Sequence, residues 1–285
     1  MVVDFAKRLI FYLALCKKTD NNLWSLVEFV ARVLDHFLLF VKETKMNQVV
    51  DPYFQMRVEF NNNGYITLDH LKKIEKQDIQ TLRGSQDDTK LLRDQKDAGS
   101  LKVSPQNILL NITNYVSLLN KYELLNLAER VSGKRLFPVN IAHLKSDKET
   151  GTLRWHRDSY MHLGKQIGSA PPALKLAVYL TDVNKKNGVT GFIPRSKSLI
   201  IKNRYLDLVY TYLMWPFAHY PCLSAGQAVL FDGSVIHGRP RPKNANFREA
   251  IIFGLVSDPW LAASYTKQNE ISKEMISRLG HDKYL

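Results

Sequence analysis

Two cysteines in 285 residues, Cys16 and Cys222, lie far apart and without the spacing of a metal ligand set. That scarcity excludes a disulfide framework and a zinc ribbon and points to a reducing compartment. Long apolar runs are also missing. The longest near the start, Leu9 to Cys16, is too short to span a bilayer, has no small-residue cleavage site after it, and follows an acidic residue at Asp4. We expect a cytoplasmic protein, and Asn111-Ile112-Thr113 is then a chance match to a glycosylation acceptor. Acidic residues are few as well, 27 against 40 Lys and Arg, giving a formal charge of +13. Anionic partners of some kind are favoured, whether carboxylate or phosphate substrates, nucleic acid or a membrane surface. No internal repeat is visible.

The apolar share of 45% over this length suffices for one large domain with a smaller appendage. Residues 4 to about 44 read as two helices separated by Lys17 to Asn22. In the second, Leu23, Leu26, Val27, Val30, Leu34, Phe37, Leu38 and Val41 form one stripe. We take residues 1–50 as a helical extension that packs on the main domain or a second subunit, or touches a membrane surface through its basic residues. The main domain, 60–285, begins where Asn61-Asn62-Asn63-Gly64 makes a turn before a strand at Tyr65 to Leu68 and a charged helix through Leu71, Ile74 and Ile79. Thr81 to Ser100 is polar enough to read as a solvated loop. Ser104-Pro105 caps a helix running to Leu119, and a second runs from about Lys121 to Val131, stopping at Gly133.

Beyond Gly133 the period shortens. Phe137–Leu144, Leu174–Leu180, Val189–Ile193, Gln227–Phe231 and Arg248–Val256 are short apolar or alternating runs between turn residues. Helices first and many strands after predict an α+β, mainly β fold: a double-sheet jelly roll with a helical flank. Leu199 to Ser224, rich in Tyr and Trp, is too long for a hairpin; we expect it to cover the barrel, a wall of the substrate pocket being the alternative.

Within this frame His156, Asp158 and His237 supply two imidazoles and one carboxylate, the set that holds non-haem Fe(II) on one face and leaves the other open. Alternate residues of a strand point the same way, so His156 and Asp158 can converge from one extended segment. Such a triplet also arises as a surface histidine beside a capping aspartate. Arg248, Ala250, Ile252 and Gly254 share one face of a strand. If that face lines the barrel, the guanidinium needs an anion, and the distal carboxylate of 2-oxoglutarate is a bidentate match. An ordinary salt bridge, for instance with Glu249, is the other reading.

Trp155-His156-Arg157-Asp158, Leu176 to Asp182, Asn187-Gly188 followed by Gly191-Phe192-Ile193-Pro194-Arg195-Ser196-Lys197, and His237-Gly238 with Phe247-Arg248 resemble, in this order, the phytanoyl-CoA dioxygenase family. The likeness runs from about Phe60 to Ser257. It implies a double-stranded β-helix, Fe(II) held at His156, Asp158 and His237, 2-oxoglutarate at Arg248, and dioxygen as cosubstrate. Two departures stand out. The family segment usually reads Pro-Gly-Ser-His where this chain has Pro194-Arg195-Ser196-Lys197, and some members carry a hydroxyl residue where Arg239 stands. Because Asp158 keeps the carboxylate that related halogenases lack, hydroxylation, desaturation or cyclisation is favoured over halogenation.

The basic charge also fits an AlkB-like nucleic-acid demethylase, but those enzymes resemble one another in a further arginine six residues after the cosubstrate arginine, and Gly254 stands there. Nucleic acid is therefore the weaker partner and a small molecule the stronger. A non-catalytic interaction module on the same fold is a third reading, against which the complete ligand set argues. Arg154, Arg157, Lys165, Lys175, Arg195, Lys197, Arg239 and Arg241 gather near the site motifs and suggest an anionic substrate or a solvated rim.

Overall fold

The computed structural model describes residues 52–68, 73–84, 91–94, 100–147, 150–162, 165–168, 174–199, 204–243 and 247–281. The helices expected within 1–50 lie outside these residues. Helices and antiparallel sheets share the chain. The helical flank consists of α1 (Pro52–Asn63), α2 (Lys76–Gly84), α3 (Pro105–Leu110), α4 (Ile112–Lys121) and α5 (Leu124–Ser132). Ser104 caps α3, its hydroxyl accepting from the Asn107 amide at 3.2 Å, and Pro105 opens the helix with a φ suited to its first turn. Gly133 closes α5 in the left-handed conformation, φ 69°. The single helix expected from Pro105 to Leu119 is broken at Asn111, whose amide side chain donates back to the Asn107 carbonyl. Local capping thus outcompetes continuation of the helix.

The described residues form twelve strands: β1 (Tyr65–Thr67), β2 (Leu91–Asp94), β3 (Ser100–Val103), β4 (Phe137–Ser146), β5 (Leu153–His156), β6 (Ser159–His162), β7 (Lys165–Gly168), β8 (Leu174–Tyr179), β9 (Gly191–Phe192), β10 (Ala228–Asp232), β11 (His237–Arg239) and β12 (Arg248–Val256). The large sheet has the order β1-β10-β8-β12-β4-β3-β2, and β5-β11-β9 form a small one. The loop expected over Thr81 to Ser100 is corrected in three places: Thr81 to Gly84 continue α2, Leu91–Asp94 is a strand, and Ser100 starts another. The charged and polar residues over 85–99 hid this hairpin.

Strand alternation divides the core. Leu176, Val178, Leu230, Ile251, Phe253 and Leu255 turn outward onto the helical flank, packing with Ile108, Leu119, Val131 and others. Ala177, Tyr179, Val229, Phe231 and Ala250 turn inward and pack with Phe192 of the small sheet. After β9 the chain forms α6 (Arg204–Met214), and after β12 it ends in α7 (Pro259–Gln268) and α8 (Glu270–Arg278). Met214, Leu213 and Tyr210 of α6 pack with Ile193, Leu199 and Ile236, with Trp155 against them, so this helix lies over the segments that flank β9 and β11. Among the described residues no helix is long and apolar enough to cross a membrane.

Candidate metal centre

The small sheet brings the two histidines together. His237, the first residue of β11, is the direct cross-strand partner of His156, the last of β5, and their rings lie 4.5 Å apart. Asp158 is not an alternate residue of the same strand, as the spacing suggested; β5 ends at His156, and Asp158 sits in the bend before β6. Its amide donates to the Gly233 carbonyl at 2.8 Å, which fixes it against the turn that delivers His237. That turn is itself built by Asp232, whose carboxylate accepts from the Ser234 amide and hydroxyl at 2.9 and 2.7 Å.

One donor atom from each of His156, Asp158 and His237 lies within 4.8 Å of the others. The Asp158 carboxylate is 3.6 Å from His156 Nε2 and 3.7 Å from His237 Nε2. Carbonyl oxygens fix the tautomers. His156 Nδ1 lies 2.7 Å from the Arg154 carbonyl and His237 Nδ1 2.9 Å from the Val235 carbonyl. A carbonyl only accepts, so both Nδ1 atoms carry hydrogen and both Nε2 atoms of the neutral rings keep a lone pair for a metal. Burial lowers the His237 pKa to about 4 against the opposing pull of Asp158, which keeps the ring neutral and ready to ligate. Asp158 is also partly buried, which by itself would raise its pKa, yet its basic neighbours His156, His237 and Lys175 favour the ionised form and hold the carboxyl below its usual range. Side-chain exposure rises from 6% at His237 to 37% at His156, so the cluster opens on the His156 side.

Arg248 lies deeper on the inner face of β12 and is 2% exposed. Its Nη2 is 3.4 Å from the Thr190 hydroxyl, its guanidinium lies 5.3 Å from the Tyr179 ring centre, and its Nε has no hydrogen-bond partner. No described carboxylate pairs with it. Glu249 points to the opposite face, where Arg83 Nε at 2.9 Å and His143 Nε2 at 3.0 Å hold it, which removes the salt-bridge reading of Arg248. Among the described residues the Tyr179 hydroxyl, also buried, has no partner. Buried donors of this kind are costly unless an acceptor arrives, and a carboxylate fits the place.

The rim of basic residues resolves into separate roles. Arg157 is 4% exposed and spent on internal bonds, Lys197 pairs with Asp232 at 3.2 Å, and Arg239 is 1% exposed. Lys175 alone among them has a described charged contact with the His156, Asp158 and His237 cluster, its Nζ 3.7 Å from Asp158. Side-chain placement of Lys165 lies outside the described residues. Sequence reasoning missed Tyr179 and Thr190; the inward alternation of β8 around Tyr179 was the available signal. It also passed over Gly238 and Gly191, where an added Cβ would stand 2.9 Å from the Trp155 ring and 2.6 Å from the Tyr220 ring.

The family model for phytanoyl-CoA dioxygenase matches residues 60–250. The chain belongs to that family. With it the protein is a non-haem Fe(II)- and 2-oxoglutarate-dependent oxygenase by class. No curated protein matches the sequence. Among solved structures, the non-haem, alpha-ketoglutarate-dependent carbocyclase SnoK of nogalamycin biosynthesis aligns with a TM-score of 0.56 and 15% identity, over 75% of this chain and 87% of its own. HygX from Streptomyces hygroscopicus, solved with nickel and 2-oxoglutarate bound, gives 0.54 and 15%, over 73% and 87%. EctD from S. alaskensis, solved with bound Fe, gives 0.53 and 14%, over 76% and 80%. At these identities the likeness is one of fold.

Proposed function

We propose that this oxygenase oxidises a C–H bond of a small organic substrate bearing an acid group, giving a hydroxylated, desaturated or cyclised product with succinate and CO2. The two facing sheets are, in this reading, the halves of a double-stranded β-helix. His156, Asp158 and His237 hold Fe(II), and Arg248, with Thr190 and Tyr179 beside it, holds the distal carboxylate of 2-oxoglutarate. The observation that carries the assignment is the pairing of two features in one interior: three donors within 4.8 Å with both Nε2 lone pairs available, and a buried guanidinium with no acid beside it among the described residues.

Iron bound with 2-oxoglutarate and dioxygen supplies an oxidant able to take hydrogen from an unactivated carbon. The chain's own residues orient the components. The carbonyls of Arg154 and Val235 hold the two imidazoles in ligating tautomers, and the amide of Asp158 keeps its carboxylate turned to them. Phe231, whose ring centre is 5.0 Å from that of His237, and Phe192 beyond it make the adjoining wall apolar. Lys175 supports an acidic substrate. Once Asp158 gives its charge to a metal, the ammonium beside it remains as a cation at the inner face of β8.

Adding Fe(II) and 2-oxoglutarate without oxygen should produce a weak visible absorption, and admitting air should yield succinate. His156→Ala or Asp158→Ala should lose both. A featureless spectrum with no succinate from the native chain would leave a non-catalytic module. Tight binding of single-stranded nucleic acid that collapses with salt would favour the demethylase reading instead.

A further inference from the structure

Arg157 stands between two of the three metal donors, and its side chain faces away from them. Its five N–H donors are distributed over segments far apart in sequence. Nη1 donates to the Ser196 carbonyl at 2.7 Å and the Ser234 carbonyl at 2.5 Å, and Nη2 to the Leu199 carbonyl at 3.0 Å. Nε and Nη2 also reach Asp207 Oδ1, at 3.3 and 3.2 Å, in the first turn of α6. Only a planar fork of fixed donors can serve so many acceptors at once; an ammonium offers three donors from one point.

Three of the four acceptor residues, Ser234, Ser196 and Asp207, lead back to the candidate metal cluster. Ser234 belongs to the turn that delivers His237, and the neighbouring Gly233 carbonyl holds the Asp158 amide at 2.8 Å. Ser196 accepts from the Ile236 amide at 2.8 Å, immediately before His237. Asp207 carries α6, whose Tyr210, Leu213 and Met214 pack on Ile193 and Ile236, with Trp155, the neighbour of His156, against them. A displacement of α6 therefore pulls on the bond network that sets the distance between His156, Asp158 and His237.

We infer that Arg157 is the positioning residue of the metal centre, and that its pair with Asp207 makes the seating of α6 and the closing of the ligand set one linked equilibrium. Linkage is reciprocal: metal binding should tighten α6, and loosening α6 should weaken metal binding. The inference rests on the ligand assignment above.

The test uses the full chain with Mn(II) as the probe, free Mn(II) being read by electron paramagnetic resonance and α6 by hydrogen exchange of 204–214. Asp207→Asn touches no metal donor. It should raise the Mn(II) Kd about three- to tenfold and abolish the slowing of α6 exchange that Mn(II) produces in the native chain. Arg157→Lys should behave as Asp207→Asn or worse. As a control for simple destabilisation, Asn269→Ala removes the cap that accepts from the Ile271 amide at the start of α8 and should leave the Mn(II) Kd unchanged. Kd values within twofold of native in both Arg157→Lys and Asp207→Asn, with α6 exchange indifferent to Mn(II), overturn the inference while the ligand assignment stands. A native chain that does not bind Mn(II) overturns the ligand assignment itself.

Discussion

Arg248→Met separates two opposite consequences of one buried charge. The guanidinium is 2% exposed, with a long contact to Thr190 at 3.4 Å and no described carboxylate beside it. In the empty protein it bears a desolvation cost that methionine, of similar length and no charge, does not. Thermal unfolding without cosubstrate should therefore leave the variant as stable as the native chain or more stable, by about 1 kcal/mol. Binding of 2-oxoglutarate should move the other way. Truncating one partner of a buried, hydrogen-bonded charge pair costs about 2–5 kcal/mol. At about 1.4 kcal/mol per factor of ten, the Kd rises from about 30-fold to a few thousand-fold. The assay is titration calorimetry of the Mn(II)-loaded chain with 2-oxoglutarate, repeated with pyruvate, which lacks the distal carboxylate and should lose its difference between variant and native. A less than threefold change for 2-oxoglutarate, or an empty variant destabilised by several kcal/mol, would refute the anchor assignment.

The remaining expectations concern positions where backbone or burial leaves little freedom. Gly238→Ala puts a Cβ 2.9 Å from the Trp155 ring next to His237; denaturant unfolding should show a loss of about 1–3 kcal/mol, and metal affinity should fall with it. Arg195 adopts φ 63°, where the family segment has glycine, so Arg195→Val should destabilise by about 1 kcal/mol or more while Arg195→Gly is tolerated in the same assay. His143 is buried between Tyr115 and Glu249. Its Nε2–H donates to the Glu249 carboxylate and its Nδ1 accepts from Tyr115. Burial lowers its pKa despite the pull of Glu249, so the unfolded chain takes up the proton first as pH falls. Its contribution is complete above the unfolded imidazole value of about 6.5 and is lost as pH drops through the lower folded value. Urea unfolding from pH 8 to 5 should be less steeply pH-dependent in His143→Gln, and an unchanged slope would remove His143 as the cause.

The fold was legible wherever period and burial agreed. Arg248–Val256 is a strand with the bounds read from the sequence because all nine residues alternate between two covered faces. Phe137 to Leu144 was found but ended early, since Lys145 and Ser146 look like a turn and are instead paired with Glu249 and Arg248 of β12. The β2–β3 hairpin was invisible because its two short strands lie in and directly after a run dominated by charged and polar residues. Caps placed the start of α3 at Ser104-Pro105 and the end of α5 at Gly133, but α1, whose last turn takes in Asn61 to Asn63, and the C-terminal α7 and α8 were not read, and the break at Asn111 was lost because a side-chain bond to Asn107, not a change of composition, makes it.

At the site, the candidate ligands His156, Asp158 and His237 were readable as a set that the structure brings together, whereas the supports were not. Arg157 looked like one more cation of a basic rim, and nothing in its neighbours along the chain reveals acceptors 39, 42, 50 and 77 positions away. The same blindness made Glu249 a candidate partner for Arg248, although adjacent residues of a strand point to opposite faces and cannot share an ion pair there. That alternation, applied to β12 alone, already sends Arg248 inward with Ala250 and Glu249 outward toward Arg83 and His143. Two charges side by side in sequence are thus given to different tasks: the outer carboxylate finds its cations within the protein. The inner guanidinium finds no anion among the described residues, and it is this asymmetry across one strand, more than the ligand triplet, that calls for an acidic cosubstrate in the interior.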